Sequence, residues 1–179
     1  MAFGDSLTAG LGLSANEAYP ALLQELLKRN GYDYEVVNAG VSGDTSAGGV
    51  RRIDWALDGD VRVLILELGA NDFLRGQPVS ETKKNLNEII DRAKAKNVKV
   101  LLAGMLTPTS AGREYQQEIQ NMFREVARDK NVTLIPFFLE AVAGREGLNQ
   151  PDGVHPNVEG TKLVAETVFT HLKPMIEHR

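Results

Sequence analysis

The chain has 179 residues, of which 42% are hydrophobic and 25% are charged, and its formal net charge is −4. This length and balance favour one globular domain spanning residues 1–179. The slight acidity argues against a nucleic-acid partner, and the absence of an 18-residue apolar run argues against stable membrane insertion. Without cysteine, neither a disulfide framework nor a thiolate site is available. Composition leaves the oligomeric state and the compartment, periplasmic or cytoplasmic, open.

Five apolar segments have the continuous pattern of buried parallel strands. In chain order they are Ala2–Phe3, Tyr34–Ala39, Val61–Leu68, Val98–Ala103 and Val132–Phe137. The first is too short for a buried strand. We therefore expect the chain to start late, with the front of this strand and any targeting segment upstream. No signal peptide is visible at this N-terminus.

Apolar stripes at helical spacing between these segments predict five helices. The first covers Ala18 to Leu27 and should end at Asn30–Gly31, while the third, Leu86 to Ala93, should begin with Ser80 as its N-cap. The others cover Val50–Leu57, Tyr115–Val126 and Leu163–Leu172, the last ending near Pro174. Because strands and helices alternate, we predict an α/β fold. Its core is a three-layer, flavodoxin-like, mostly parallel five-stranded sheet with helices on both faces.

Polar residues follow the predicted strands at the sheet edge where ligands bind in such folds. Ser6 follows the first strand, Gly43 the second and Asn71 the third. Asp152 and His155 lie after the fifth strand and belong to the same edge. Together these residues supply what acyl transfer needs: a serine nucleophile, amide donors for an oxyanion, and an acid–base pair.

Each of these residues also has a plainer interpretation. Ser6 can be a helix N-cap, as can Asp5 or Thr8, Gly43 an ordinary loop glycine, and Asn71 a turn or cap residue. His155 is the only reasonable base, because the other two histidines lie in or after the last helix, namely His171 and His178. Asp152, three residues earlier, can hold the His155 tautomer and stabilise the imidazolium, while Pro156 keeps the backbone of His155 extended.

Competing motifs are weaker. The Gly-x-Ser-x-Gly elbow fails at the last position of Gly40–Asp44, no Walker lysine loop is present, and Gly10–Gly12 lacks the third glycine of a dinucleotide fingerprint. A phosphoesterase using Mg²⁺ or Mn²⁺ is suggested by four carboxylates, Asp5, Asp44, Asp72 and Asp152. Metal-dependent phosphoesterases usually need more histidine ligands than His155 alone can supply. We therefore expect no metal and no cofactor.

Four segments resemble the SGNH hydrolases, also called GDSL esterases and lipases, across essentially the whole chain: Gly4–Gly10, Asn38–Thr45, Glu67–Asp72 and Asp152–Pro156. The resemblance implies that Ser6, Gly43, Asn71 and His155 are the four family residues, with Asp152 as the triad acid. The flanking residues look most like the arylesterase and multifunctional thioesterase/lysophospholipase branch.

This resemblance implies an esterase without metal or cofactor that acts on small acyl esters, and on thioesters or lysophospholipids, through an acyl-enzyme on Ser6. A carbohydrate O-deacetylase of the same family remains an alternative, as does a non-catalytic binding module. The resemblance also implies that Phe73–Pro78 is a mobile loop beside the site. We expect this loop and Leu106–Gly112 to border the acyl channel and to set a short or medium acyl preference.

Overall fold

Five strands form the centre of the molecule, and all of them pair in parallel. The structure, a computed structural model, describes residues 1–107 and 109–177. The strands are β1 (Ala2–Gly4), β2 (Asn38–Gly40), β3 (Val63–Glu67), β4 (Lys99–Ala103) and β5 (Thr133–Ile135). Their order is β2-β1-β3-β4-β5, which confirms the predicted flavodoxin-like arrangement.

Helices connect the strands and cover the sheet. They are α1 (Ser6–Ala9), α2 (Tyr19–Arg29), α3 (Ser46–Ala56), α4 (Ala70–Leu74), α5 (Val79–Ala95), α6 (Arg113–Lys130) and α7 (Val158–Glu177), with a short 3-10 turn at Thr109–Ala111. Right-handed crossovers in this strand order put α2 on one face and α3, α5 and α6 on the other. The packing agrees, because α2 contacts α7, whereas α3 contacts α5 and α5 contacts α6. No helix in the described part of the chain combines the length and apolarity needed to cross a bilayer.

The sheet is covered on both faces, which explains why its strands read as continuous apolar runs. Every residue of β3 is buried, and so are Val100 to Ala103 of β4. Glu67, the last residue of β3, differs from the apolar residues before it because it carries a carboxyl group, and this group is fully buried.

Strand β2 is shorter than the predicted Tyr34–Ala39 and begins only at Asn38. Its neighbour β1 begins at Ala2, whose N–H donates to the Val37 carbonyl at 2.8 Å, so residues 34–36 lie beyond the end of that strand. The side chain of Gln24, on α2, hydrogen-bonds that backbone instead. It accepts from the Val36 N–H at 2.7 Å and donates to the Tyr34 carbonyl at 2.9 Å.

Two helix ends differ from the prediction. Ser80 is not the N-cap of α5, because the helix already begins at Val79 after Pro78, whose fixed φ directs the chain into the helix. Pro174 does not end α7, which continues to Glu177. Leu172 and Ile176, on either side of this proline, are buried in the core, and this packing maintains the helix despite one lost N–H donor.

Candidate active site

Ser6 lies at the junction between a central strand and a helix. Strand β1 ends at Gly4, and Asp5 caps α1 by accepting a hydrogen bond from the Leu7 N–H at 3.0 Å. Ser6 is therefore the first residue of α1, directly beyond the carboxyl end of the strand. The turn has no room for a larger residue at position 4, because a Cβ on Gly4 would lie 2.1 Å from Thr8 Oγ1 and 2.5 Å from Glu67 Oε2.

Ser6, His155 and Asp152 form one hydrogen-bonded chain. Ser6 Oγ is 2.8 Å from His155 Nε2, and His155 Nδ1 is 2.7 Å from Asp152 Oδ2. The other Asp152 oxygen accepts from the N–H groups of His155 (3.0 Å) and Val154 (2.9 Å). These backbone hydrogen bonds, followed by that from the His155 ring, lower the pKa of Asp152 to about 2. The carboxylate thus accepts from Nδ1–H, which leaves Nε2 to accept the Ser6 hydroxyl proton.

The loop that carries Asp152 and His155 is fixed by a glutamine that was not among the predicted site residues. The Gln150 N–H donates to the His155 carbonyl at 2.8 Å. Its side-chain amide donates to the carbonyls of Leu11, beyond α1, at 2.8 Å and of Pro156 at 3.0 Å. Gln150 therefore joins the histidine loop to the segment that follows the Ser6 helix. Its position two residues before Asp152 was the only signal in the sequence.

Gly43 and Asn71 lie at the same edge, after β2 and β3. Gly43 has a φ of 80°, a left-handed conformation that favours glycine. Its carbonyl accepts from Arg75 at 2.7 Å, and no acceptor in the described part of the chain takes its N–H. The Asn71 amide nitrogen donates to Asp5 Oδ2 and to the Asp44 carbonyl, each at 2.9 Å. Both N–H bonds of this amide are thus engaged.

Arg52, on α3, holds the loop that contains Gly43 and was also not predicted. Its guanidinium pairs with Asp44 at 2.7 Å and donates to the carbonyls of Ala39 at 2.7 Å and Gly4 at 2.9 Å. It also lies 3.9 Å from the centre of the Phe3 ring. A single cation thus connects the ends of β1 and β2 with the loop between β2 and α3.

The four carboxylates suggested as metal ligands have separate partners. Asp44 pairs with Arg52, and Asp72 accepts from the Ser46 N–H at 2.8 Å and the Ser46 hydroxyl at 2.5 Å. Across residues 1–107 and 109–177, no group of three or more His, Cys, Asp or Glu side chains is arranged to hold a metal ion.

The predicted loop Phe73–Pro78 begins inside a helix, because Phe73 and Leu74 are the last two residues of α4 and only residues 75–78 connect it to α5. Phe73 is buried, and its ring meets those of Tyr115 and Phe123 edge-on at 6.4 Å and 6.3 Å. Leu74 is 66% exposed. Of the predicted opposite wall, Leu106–Gly112, Pro108 lies outside the described residues.

His171 does not join this arrangement. His171 lies within α7, where its Nδ1 is 2.9 Å from the Thr167 carbonyl. His178 lies outside the described residues. Ser6, Asp152 and His155 are therefore joined directly, while Asn71 is connected to the Ser6 turn through Asp5.

Comparison with known proteins identifies the family. The model of the GDSL-like lipase/acylhydrolase family matches residues 2–163. Esterase TesA of Pseudomonas aeruginosa is 41% identical over 174 residues, covering 97% of this chain and 87% of that protein. Thioesterase 1/protease 1/lysophospholipase L1 of Escherichia coli is 36% identical over 176 residues, covering 98% and 83%. The crystal structure of the psychrotrophic esterase EstA from Pseudoalteromonas sp., inhibited by monoethylphosphonate, superposes with a TM-score of 0.93 at 32% identity, covering 99% and 97%. The chain therefore belongs to the GDSL-like lipase/acylhydrolase family.

Proposed function

We propose that this protein hydrolyses carboxylic esters through an acyl-enzyme on Ser6. The carrying observation is the continuous chain from Ser6 Oγ through the His155 ring to the Asp152 carboxylate, with both ring nitrogens within 2.8 Å of their partners. His155 takes the hydroxyl proton as Ser6 Oγ attacks the ester carbonyl carbon. The imidazolium then protonates the leaving alcohol or thiol. Water, activated by the same ring, cleaves the acyl-enzyme and releases the acid.

The oxyanion formed in each step needs hydrogen-bond donors. We assign this role to the N–H groups of Ser6 and Gly43 and to the side-chain amide of Asn71. In the resting arrangement the Asn71 amide donates to the Asp44 carbonyl. An oxyanion is a stronger acceptor than a neutral carbonyl, so we expect it to replace the Asp44 oxygen only as charge develops. This exchange would favour the transition state over the bound ester.

Small acyl esters are the proposed substrates, and acyl thioesters and lysophospholipids are proposed as further ones. The names of the two relatives, esterase and thioesterase/lysophospholipase, support this range. Exposed Leu74, three residues after Asn71, would border the acyl chain. We further propose that residues 1–179 act as one SGNH hydrolase domain, because the two relatives match 97% and 98% of the chain.

Ser6→Ala tests the nucleophile. Turnover would be measured on p-nitrophenyl esters and acyl thioesters from acetyl to palmitoyl, on a lysophospholipid and on an acetylated sugar, each with and without EDTA. We expect Ser6→Ala to lose nearly all turnover on every substrate and wild-type turnover to survive chelation. Ser80→Ala, which removes an exposed serine on α5, is the matched control and should keep its activity.

A phosphonate ester probe adds a direct readout, because phosphonates form a covalent bond with an activated serine. Mass spectrometry of the digested protein should find the label on Ser6 and none on Ser6→Ala. Retained turnover in Ser6→Ala, or a label on another residue, would contradict the acyl-enzyme. Turnover confined to the acetylated sugar would instead favour the O-deacetylase.

A further inference from the structure

A buried carboxyl group lies directly beneath the Ser6 turn. Glu67 is fully buried at the end of β3. Its Oε2 accepts from the Thr8 hydroxyl at 2.8 Å and from the Asp5 N–H at 3.2 Å. In the described part of the chain, no donor faces its Oε1. As an anion, Glu67 would therefore have one buried oxygen without a partner, which is costly.

A second buried carboxyl group is its hydrogen-bond neighbour. The Asp5 N–H donates to Glu67 Oε2 at 3.2 Å, so the two side chains are immediate neighbours, and Asp5 is also buried. Asp5 already has two donors, the Leu7 N–H and the Asn71 amide. Two ionised carboxylates have only acceptors to offer each other, so two such buried neighbours favour a proton on one of them.

We propose that Glu67 is protonated in the folded enzyme, donates a hydrogen bond to the Asp5 carboxylate, and through this pair positions Ser6 and Asn71. Burial, followed by the nearby Asp5 charge, raises the pKa of Glu67 well above its ordinary value. The charge therefore stays on Asp5, which has the better set of donors. The Tyr19 hydroxyl, 3.4 Å from Thr8 Oγ1, also faces the pair, and the His155 and Asp44 side chains lie further away.

The pair acts on both halves of the proposed catalytic machinery. Glu67 accepts hydrogen bonds from the residues on either side of Ser6, namely Asp5 before it and Thr8 after it. Asp5 in turn caps the Ser6 helix and holds the Asn71 amide. Glu67 is thus a positioning residue, and its link to activity rests on the proposed roles of Ser6 and Asn71.

Infrared spectroscopy tests the proton itself. In D₂O near neutral pH, ordinary Asp and Glu side chains are ionised, so a carboxylic-acid C=O band reports a protonated buried group. We expect this band in the wild type and its loss in Glu67→Gln. A wild-type spectrum without the band would overturn the proposal.

Thermal unfolding from pH 5 to pH 8 gives an independent test of whether Glu67 is protonated in the folded protein. A carboxyl group whose pKa is raised on folding keeps a proton that the unfolded chain releases, so rising pH destabilises the folded wild type through this group. Glu67→Gln lacks that proton, and its amide can still accept from Thr8 and donate to Asp5. The Tm of Glu67→Gln should therefore increase relative to the Tm of the wild type as the pH rises. A difference that stays constant from pH 5 to pH 8 would mean that Glu67 is ionised in the folded protein and would overturn the proposal.

Kinetics test the positioning role. Glu67→Ala should lower kcat by about 10–100-fold with little change in KM, because the hydrogen bonds that position the Ser6 turn and, through Asp5, the Asn71 amide are lost or weakened. Glu67→Gln should restore most of that loss, whereas equal losses in both variants would overturn the neutral-acid assignment. Asp72→Asn is the matched control for exchanging a buried carboxyl group for an amide. Asp72 accepts from the Ser46 N–H, so an amide at this position should lower the Tm. Activity retained in Ser6→Ala would refute the proposed function alone, since the infrared and unfolding results do not depend on it.

Discussion

Replacing Asn71 with alanine should separate catalysis from binding in this enzyme. The amide of Asn71 is the side-chain donor assigned to the oxyanion, and it also hydrogen-bonds Asp5 and the Asp44 carbonyl. Loss of one oxyanion donor typically costs ~10²–10³-fold in kcat. We expect a value near the lower limit, about 10²-fold, because the oxyanion must first replace the Asp44 oxygen. KM should change little, since a neutral ester carbonyl does not compete well for that donor.

The same substitution should lower stability by a calculable amount. It leaves Asp5 Oδ2, in a buried side chain, without its Asn71 donor, which costs about 1–3 kcal/mol. For a domain of this size, each kcal/mol lowers the Tm by about 2–4 °C. The expected decrease is therefore roughly 2–12 °C.

Steady-state kinetics on p-nitrophenyl butyrate and thermal unfolding of the same preparations would test both numbers. Asn85→Ala is the matched control, because this α5 asparagine donates to Ser46 Oγ at 2.9 Å without contacting Ser6 or His155. It should lower the Tm but leave kcat near the wild-type value. A raised KM with unchanged kcat in Asn71→Ala would refute the oxyanion role and indicate a ground-state contact.

Three other changes have defined outcomes. Asp152→Asn should lower kcat because His155 loses its counter-charge. The pKa of Asp152 is about 2, so its stabilising ionisation is present at ordinary pH and is lost only as the pH falls through that value. Asp152 should therefore add no acidic limb to the pH profile of kcat/KM above about pH 4. Leu74→Ala should shift the acyl-length profile while acetyl ester hydrolysis continues, and an unchanged profile from acetyl to palmitoyl would remove this loop from the channel. Placing Val-Ile-Leu-Ile ahead of Ala2 should raise the Tm and leave substrate preference alone, because it extends β1 along a groove of about 370 Å³ lined by Leu23, Leu27, Val63 and Leu172; an equal or lower midpoint would count against this pairing.

The sequence was sufficient for the fold class and for expecting the candidate residues at one edge of the sheet, because both inferences depend on short local signals. Continuous apolar runs and helical stripes report burial on both sides of a sheet, and their alternation implies parallel strands. The carboxyl ends of parallel strands share one edge, so Ser6, Gly43 and Asn71 were expected together although they are far apart in the chain. Ser6 Oγ and His155 Nε2 indeed meet at 2.8 Å across 149 positions.

Only the tertiary structure decided which groups are partners. The apolar pattern predicted a strand over Tyr34–Ala39, but a strand needs a neighbouring strand to pair with. Pairing with β1 begins only at Asn38, and the Tyr34 carbonyl accepts a hydrogen bond from the Gln24 side chain instead. No sequence pattern singled out Arg52, yet its guanidinium donates to carbonyls at the ends of two strands. Glu67 contacts Asp5 from 62 positions away, so no local pattern revealed a second acid beneath Ser6. Hydrogen bonds depend on distances that the folded backbone sets, whereas a sequence pattern records only which side chains avoid water.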